Sequence, residues 1–368
     1  MIAEATELDF VLRRLEDWVR RGGEGPDGGA VEPIRELHLE LTHRCDLKCV
    51  MCHHWRMRSR ELDAQALRGI VSGSRLLDRV ETVVLSGGEP WLRTDIGEVA
   101  AALAERFPGA SFAVMTNLRD TDRVRRGLEE LLSRGVRRLR LGSSLDGLGR
   151  ANDRVRGRAG AFEALLRSIR MLKREFPDVG LDLNFTLLPQ NCAELLPAYQ
   201  LARELGAGFV AQRVVEHEGF PAPRGLAWTP ELVDAAEEQI NGVLLDLCRR
   251  EGAMGRILEG RERESRGLWT RLLYWHRLAR YVRRPERFFK ACPAGSRWAM
   301  LDPEGGLFFC PVNKHLKAGD ARGAGFDAAW TSPAADRVRR IVGAGRCHCW
   351  LACTAYPALD RALEAGIG

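Results

Sequence analysis

Three cysteines stand close together in the segment LELTHRCDLKCVMCHHW: Cys45, Cys49 and Cys52, a C-x3-C-x2-C spacing. Thiols this near one another on one loop can converge on a single metal centre. A four-iron cluster has four corners and normally takes four thiolates. Three thiolates leave one iron open, much as a catalytic zinc site keeps a free position for its substrate. The same thiols could instead hold zinc, with His43, His53 or His54 as fourth ligand. A second group lies toward the end of the chain: Cys292, Cys310, Cys347, Cys349 and Cys353. Five thiols suffice for one four-iron cluster with one to spare, and not for two; a zinc ribbon is the alternative. Cys192 and Cys248 stand alone, and Cys248, in LLDLC on an apolar helix face, reads as core.

The 368-residue chain, 45% hydrophobic, has enough apolar content for a full-sized core. It shows no apolar run long enough to span a bilayer and no basic-then-apolar secretory layout at its start. A cytoplasmic protein with no membrane partner is expected. Disulfides are rare in that compartment, so clustered cysteines point to metal or redox chemistry. The net charge of +6 comes almost entirely from Arg. No nucleic-acid motif accompanies it, so no nucleic-acid partner is expected.

The elements that must position these residues follow a rhythm. A helix is expected over 8–21, then a Gly-rich linker, GGEGPDGGA. Strands read at 36–41, 82–85, 111–115, 138–142, 181–187 and 209–215. Helices read at 63–77, 95–107, 122–133, 161–176 and 193–205. Six such alternations imply a parallel sheet with right-handed crossovers. The polar signals sit after strands, where βα folds carry their chemistry: HRC, SGGEP, TN and SSLDG. From 216 to 290 the rhythm gives way to helices. One starts at the Thr229-Pro230 cap and runs through 247. The next, in RGLWTRLLYWHRLARYVRRPERFFK, should bury Trp269, Leu272, Leu273 and Leu278 while its Arg residues stay solvated. Residues 297–301 and 306–309 around Pro303-Glu304-Gly305 read as a β-hairpin, and a helix near 334–342 precedes CHCWLAC. Four segments follow: 1–33, helix and linker; 34–215, the β/α unit; 216–290, a helical connector; 291–368, a cysteine-bearing module.

The C-x3-C-x2-C spacing resembles the signature of the radical S-adenosylmethionine (radical SAM) superfamily. SGGEP, Ser86–Pro90, resembles that family's methionine-binding motif. Gly87 and Gly88 lack side chains, so backbone carbonyls can approach a ligand ammonium; Glu89 adds an anionic partner, and Pro90 closes the motif. SSLDG, Ser143–Gly147, and the run NDRVRGRAGAFEALLRSI resemble the subgroup with an extra C-terminal cluster domain. Ser144 and Asp146 would contact the SAM ribose or carboxylate, and Arg156 would pair with its carboxylate. Asn184 and Asn117 would line the nucleoside side, although TNL at 116–118 departs from the family's TNG. Cys292, twelve residues, Gly305, four residues and Cys310 resemble the opening of a SPASM domain, or its shorter twitch form. The C-x-C-x3-C ending departs from the usual pattern and leaves open whether Cys347 or Cys349 is a ligand. The resemblance covers residues 34–356.

That resemblance implies an α/β fold, a partial (β/α)6 TIM-like barrel followed by a β-hairpin/helix auxiliary-cluster domain. It also implies three cofactors: SAM, one SAM-binding [4Fe-4S] cluster and one auxiliary [4Fe-4S] cluster. The implied reaction is reductive cleavage of SAM to a 5′-deoxyadenosyl radical, which takes hydrogen from a substrate. An electron donor such as flavodoxin or ferredoxin is implied. Auxiliary oxidation would give dehydrogenation or a new bond; hydrogen return by a thiol would give epimerisation, with Cys192 in PQNC a candidate donor. The catalytic residue itself is not identifiable. About 33 residues before Ile34 are too few for a leader-binding domain, so a sugar or aminocyclitol substrate is expected. A ribosomally made peptide is the alternative, and a structural zinc-binding interaction protein a third reading that leaves SGGEP and SSLDG unexplained.

Overall fold

The sequence alternation folds into β1 (Glu36–Thr42), β2 (Thr82–Gly87), β3 (Ser111–Met115), β4 (Leu139–Ser144), β5 (Gly180–Leu187) and β6 (Gly208–Arg213). The structure is a computed structural model that describes residues 2–22, 33–216, 226–288, 292, 294–312, 314–345 and 348–367. The six strands lie side by side in chain order, every neighbouring pair parallel. The parallel order is what the alternation predicts, and the sheet curls without closing, the partial barrel that the resemblance implies. Period-two burial shows why. In β5, Leu181, Leu183, Phe185 and Leu187 are buried under the helices, while the residues between them face the barrel interior half-buried.

The crossover helices include Ala64–Ser72, Ile96–Arg106, Thr121–Ser133, Ala161–Glu175 and Leu195–Glu204. Asp63 and Asp120 cap two of them, accepting from the amides of Ala66 and Arg123. The first helix ends at Ser72, short of the 63–77 expectation. Gly73 follows, and the Ser74 hydroxyl takes up the Leu77 amide and donates to Asp327 instead of continuing the turn. A short helix, Arg150–Arg156, was not foreseen. It fits between Gly149 and Gly157, both at positive φ (48° and 67°).

The predicted hairpin forms from β7 (Trp298–Leu301) and β8 (Gly306–Phe308), with β9 (Lys317–Asp320) antiparallel to β8. It does not stand apart. β7 pairs parallel with β1, Glu36 opposite Trp298 through Leu39 opposite Leu301, so one nine-stranded sheet runs from β6 to β9. The edge of β1 would otherwise be an unpaired ladder in the middle of the molecule.

Helix Pro230–Arg250 is capped by the Thr229 hydroxyl, and helix Arg266–Arg283 packs against it. Trp269, Leu272, Leu273 and Leu278 are fully buried, as the pattern predicts, but so are Tyr274 and Trp275. The expectation that every Arg of this helix stays solvated fails at Arg277. Its guanidinium is buried and forked onto Glu16 at 2.8 and 3.1 Å. Glu16 belongs to the first helix, Ile2–Gly22, which covers this face together with the closing helix Ala352–Gly366. Those two helices touch through glycine: a Cβ at Gly22 would sit 2.0 Å from the Ala362 carbonyl, and one at Gly366 1.8 Å from that of Trp18. Among the described residues no helix is long and apolar enough to cross a membrane. The linker 23–30 lies outside the described residues.

Candidate active site

Cys45, Cys49 and Cys52 lie on the loop leaving β1 and line one cleft of about 170 Å³ at the C-terminal ends of β1–β4. Three contacts brace the loop. The Val50 amide donates to the Val155 carbonyl at 2.9 Å. Asp46 accepts from the Asn117 amide group at 2.7 Å and from Arg119. Gly157 passes so close to the Lys48 carbonyl that a Cβ there would sit 2.1 Å away. The run around Arg156 thus serves the cysteine loop directly. Burial pushes the Cys45 thiol up to about 11 and raises that of Cys49 despite nearby Arg156. At Cys52 burial acts the same way, but a hydrogen bond from the His54 ring outweighs it and the thiol is lowered.

Gly87 and Gly88 line the cleft, but packing dictates their identity. A Cβ on Gly87 would meet the Thr42 carbonyl at 2.2 Å, and one on Gly88 the Arg44 carbonyl at 2.1 Å. The Gly88 and Glu89 amides donate to those same carbonyls at 2.7 and 2.8 Å, clamping the cysteine loop onto β2. Glu89 and Pro90 do not line the cleft, a correction to their expected role. Glu89 is buried and turns to β3, accepting from the Thr116 hydroxyl (2.9 Å), the Asn117 amide (2.7 Å) and the Trp91 amide (3.3 Å). Its alternative, facing the cleft, would leave those donors unpaired. Pro90 is buried where the short helix Pro90–Leu92 begins.

Asn117, Ser144 and Arg156 line the cleft; Asp146 and Asn184 do not. Asp146 is wholly buried. It accepts from the Thr186 amide at 2.7 Å and holds the Arg156 guanidinium at 3.3 Å, so it positions Arg156 from beneath the cleft. Burial lifts the Asp146 carboxyl in spite of that pairing. Asn184 spends its amide on the Ser143 carbonyl across the β4–β5 ladder. Leu118, where glycine was expected, adopts φ 52°, the left-handed conformation glycine takes without strain, and buries its side chain completely. Cys192 is buried in the main core, its thiol donating to the Pro189 carbonyl at 3.4 Å, and lies off the cleft. Cys248 is buried in the core as expected.

Cleft residues that lie outside the quoted motifs include Met115 and Gly142. Each is the last residue of a strand read from the sequence (111–115 and 138–142), so the strand-end rule taken back by one residue would have found both. Under the cysteine loop, His54 faces the Cys52 thiol with Nδ1 at 3.0 Å and Glu40 with Nε2 at 3.5 Å. His43 lies 3.6 Å from the same carboxylate, and the Lys314 ammonium 2.6 Å from it. Burial alone would depress His54, but Cys52 and Glu40 outweigh it and push the ring up to about 10.

Cys292, Cys310, Cys349 and Cys353 gather at a second place. Burial raises the Cys353 thiol first, and Cys349, Glu36, Cys310 and Cys292 lie near enough to raise it further. Cys310, Cys349 and Cys353 share a small apolar cluster with Val215, Val312 and Leu351. Trp350 ties this loop to the barrel: its indole donates to the Tyr274 carbonyl at 3.0 Å, and the Tyr274 hydroxyl donates to Ala211 of β6 at 2.8 Å. Cys347 lies outside the described residues.

Residues 39–202 match the family model described as the radical SAM superfamily. These 164 of the 368 residues carry a radical SAM domain. The chain also resembles proteins of the SPASM/twitch-type subgroup, and SAM with a [4Fe-4S] cluster is the cofactor set that the matched domain implies. The chain is 31% identical to Fe-coproporphyrin III synthase of Methanosarcina barkeri over 45% of this chain and 40% of that one. It is 27% identical to PqqA peptide cyclase of Granulibacter bethesdensis over 58% and 59%. With mycofactocin maturase MftC of Mycobacterium tuberculosis it shares 26% identity over 84% of this chain and 74% of that one. The chain spans only 40–52% of the length of the first curated relatives it matches. The fold is that of Streptococcus suis SuiB bound to precursor peptide SuiA (TM-score 0.56, 16% identity, 89% of this chain and 70% of that one).

The donor sets fit the radical SAM cofactors. Three thiols in one cleft match a cluster with one open iron, and Arg156 supplies a cation at the cleft wall for a carboxylate. Four described C-terminal thiols match the four corners of a second cluster.

Glu89 gives a test of this packing. Burial, outweighing its three hydrogen bonds, holds its carboxyl up at about 7, above the ordinary value of 4.5. The fold therefore favours protonated Glu89. Its contribution to stability is full below pH 4.5 and declines as pH rises to about 7. Glu89→Gln, which mimics the protonated acid, is expected to remove on the order of 2–3 kcal/mol of that decline. Chemical denaturation of both proteins from pH 5 to 8 measures it; parallel pH profiles would show that Glu89 does not titrate in this range.

Proposed function

We propose that the chain is a peptide-modifying radical SAM enzyme in which Cys45, Cys49 and Cys52 hold the SAM-binding cluster. Cys292, Cys310, Cys349 and Cys353 hold the auxiliary cluster. The observation that carries the peptide reading is the 84% of this chain that is similar to a protein named a maturase, together with the likeness to a peptide cyclase. The relatives named for tetrapyrrole synthesis are similar over about half of the chain. This replaces the expectation of a sugar or aminocyclitol substrate.

When bound, SAM and its cluster supply a carbon radical that removes a hydrogen atom from the substrate. The chain's own residues set the stage for that chemistry. Arg156, anchored by Asp146, offers its guanidinium to the ligand carboxylate. The Gly87–Gly88 clamp and the Asp46 brace keep the three thiols in one geometry. Ser144 and Asn117 present polar groups to the remainder of the ligand. With Cys192 packed away, no lone thiol faces the cleft among the described residues, which favours oxidative bond formation over epimerisation.

Reconstituted protein would be incubated with SAM, a flavodoxin or ferredoxin reductant and one of three probes. The probes are a peptide encoded beside the gene, iron coproporphyrin III and an aminocyclitol. The expected result is 5′-deoxyadenosine formation coupled to loss of two hydrogen atoms from the peptide by mass spectrometry. Coupled turnover of either small molecule, with the peptide unchanged, would overturn the reading.

A further inference from the structure

The buried group beneath Cys52 is absorbed by none of the steps above. Glu40, His43 and His54 are each more than nine-tenths buried, and their ligand atoms lie within 4.8 Å of one another. Such a set resembles a metal site, but Lys314 already stands 2.6 Å from the Glu40 carboxylate, where a second cation would be repelled. Nδ1 of His54 meets the Cys52 thiol at 3.0 Å, while its Nε2 stands 3.5 Å from Glu40 as an ion-pair contact without a hydrogen bond. Neither ring nitrogen of His43 has a hydrogen-bond partner, so of the two rings only His54 is bonded to the thiol. What remains is an ordered line of alternating charge: Cys52 sulfur, His54 ring, Glu40 carboxylate, Lys314 ammonium. Lys314 comes from the segment between β8 and β9, four residues after Cys310. The line therefore joins the loop of the first cysteine group to a loop of the second.

We infer that the Lys314–Glu40–His54 line is a positioning relay that raises the reduction potential of the cluster on Cys45, Cys49 and Cys52 and couples it to the Cys310 loop. This rests on the proposed assignment of that cluster to those cysteines. The physical reason is electrostatic. A ring N–H donated to a ligating sulfur, in a site closed to water, stabilises the extra negative charge of the reduced cluster. Glu40 orients the ring so that Nδ1 meets the sulfur, and Lys314 offsets the carboxylate, which would otherwise oppose reduction.

The test is the potential of the SAM-binding cluster, read from its electron paramagnetic resonance signal during redox titration. His54→Leu is expected to shift the potential to more negative values, and His54→Gln, which keeps an N–H donor, to restore part of the shift. Lys314→Met, which leaves the cysteine loop untouched, is expected to shift it in the same direction, and Lys314→Arg to reverse this. In the His54→Leu background the Lys314→Met shift should shrink, because the path through Glu40 is gone. Unchanged potentials in His54→Leu and Lys314→Met, or fully additive shifts, would overturn the relay. So would a further metal in the wild type that Glu40→Gln removes. Iron content and the wild-type signal report separately on the cluster assignment, so its failure would be seen as absent iron rather than an unmoved potential.

Discussion

Replacing Cys45, Cys49 and Cys52 together with Ala is expected to lower the iron content after anaerobic reconstitution from about eight to about four per chain. It should also abolish 5′-deoxyadenosine formation. On the proposed assignment the remaining iron would be held by Cys292, Cys310, Cys349 and Cys353, which gather near Cys353, apart from the cleft. Iron analysis and chromatography of the reaction mixture check both halves. Zinc in place of iron in both proteins, with no nucleoside released, would return the structural-zinc reading. Loss of all iron in the variant would mean that the second group cannot hold a cluster by itself.

Arg156→Met is expected to be the most damaging single change in the cleft. It strips the partner from Asp146, a carboxylate with no exposure, and an unpaired buried charge of this kind costs about 3–5 kcal/mol. It also removes the cation facing the cleft, which should weaken SAM binding by about tenfold or more. Adding Asp146→Asn removes the orphaned charge. The double variant should regain most of the stability and none of the affinity. Denaturation midpoints and equilibrium dialysis with SAM separate the two effects. If Arg156→Met unfolds like the wild type, Asp146 does not depend on it. If the double variant recovers SAM binding, Arg156 is not the carboxylate partner.

Local signals carried much of the fold. The six parallel strands were legible because β-branched and Leu-rich runs alternate with helical periods, and Ser111–Met115 was placed at both ends. Element ends drifted where side chains compete with the backbone, as at Ser74, or where paired glycines cut a helix, as at Gly149 and Gly157. The attachment of β7 to β1 left no mark in the sequence, since it pairs residues some 260 apart through backbone groups that carry no side-chain signature.

By itself the sequence determined the chemistry available: thiol spacing on one loop, a glycine pair after β2 and a basic residue at 156. Residue type and short-range spacing are local properties, and a cluster-binding loop is a local structure. The tertiary structure decided which polar residues face the cleft. Gly87, Gly88, Asn117, Ser144 and Arg156 line it, while Glu89, Pro90 and Asp146 support it from behind and Asn184 faces the barrel interior beside it. That division depends on which donors each carboxylate or amide finds when buried, and those donors come from other strands. It also joined Lys314 to Glu40 and so to Cys52, across 274 residues of chain. Only packing brings such partners together, because a charge that must leave water accepts whatever counter-charge the fold places beside it.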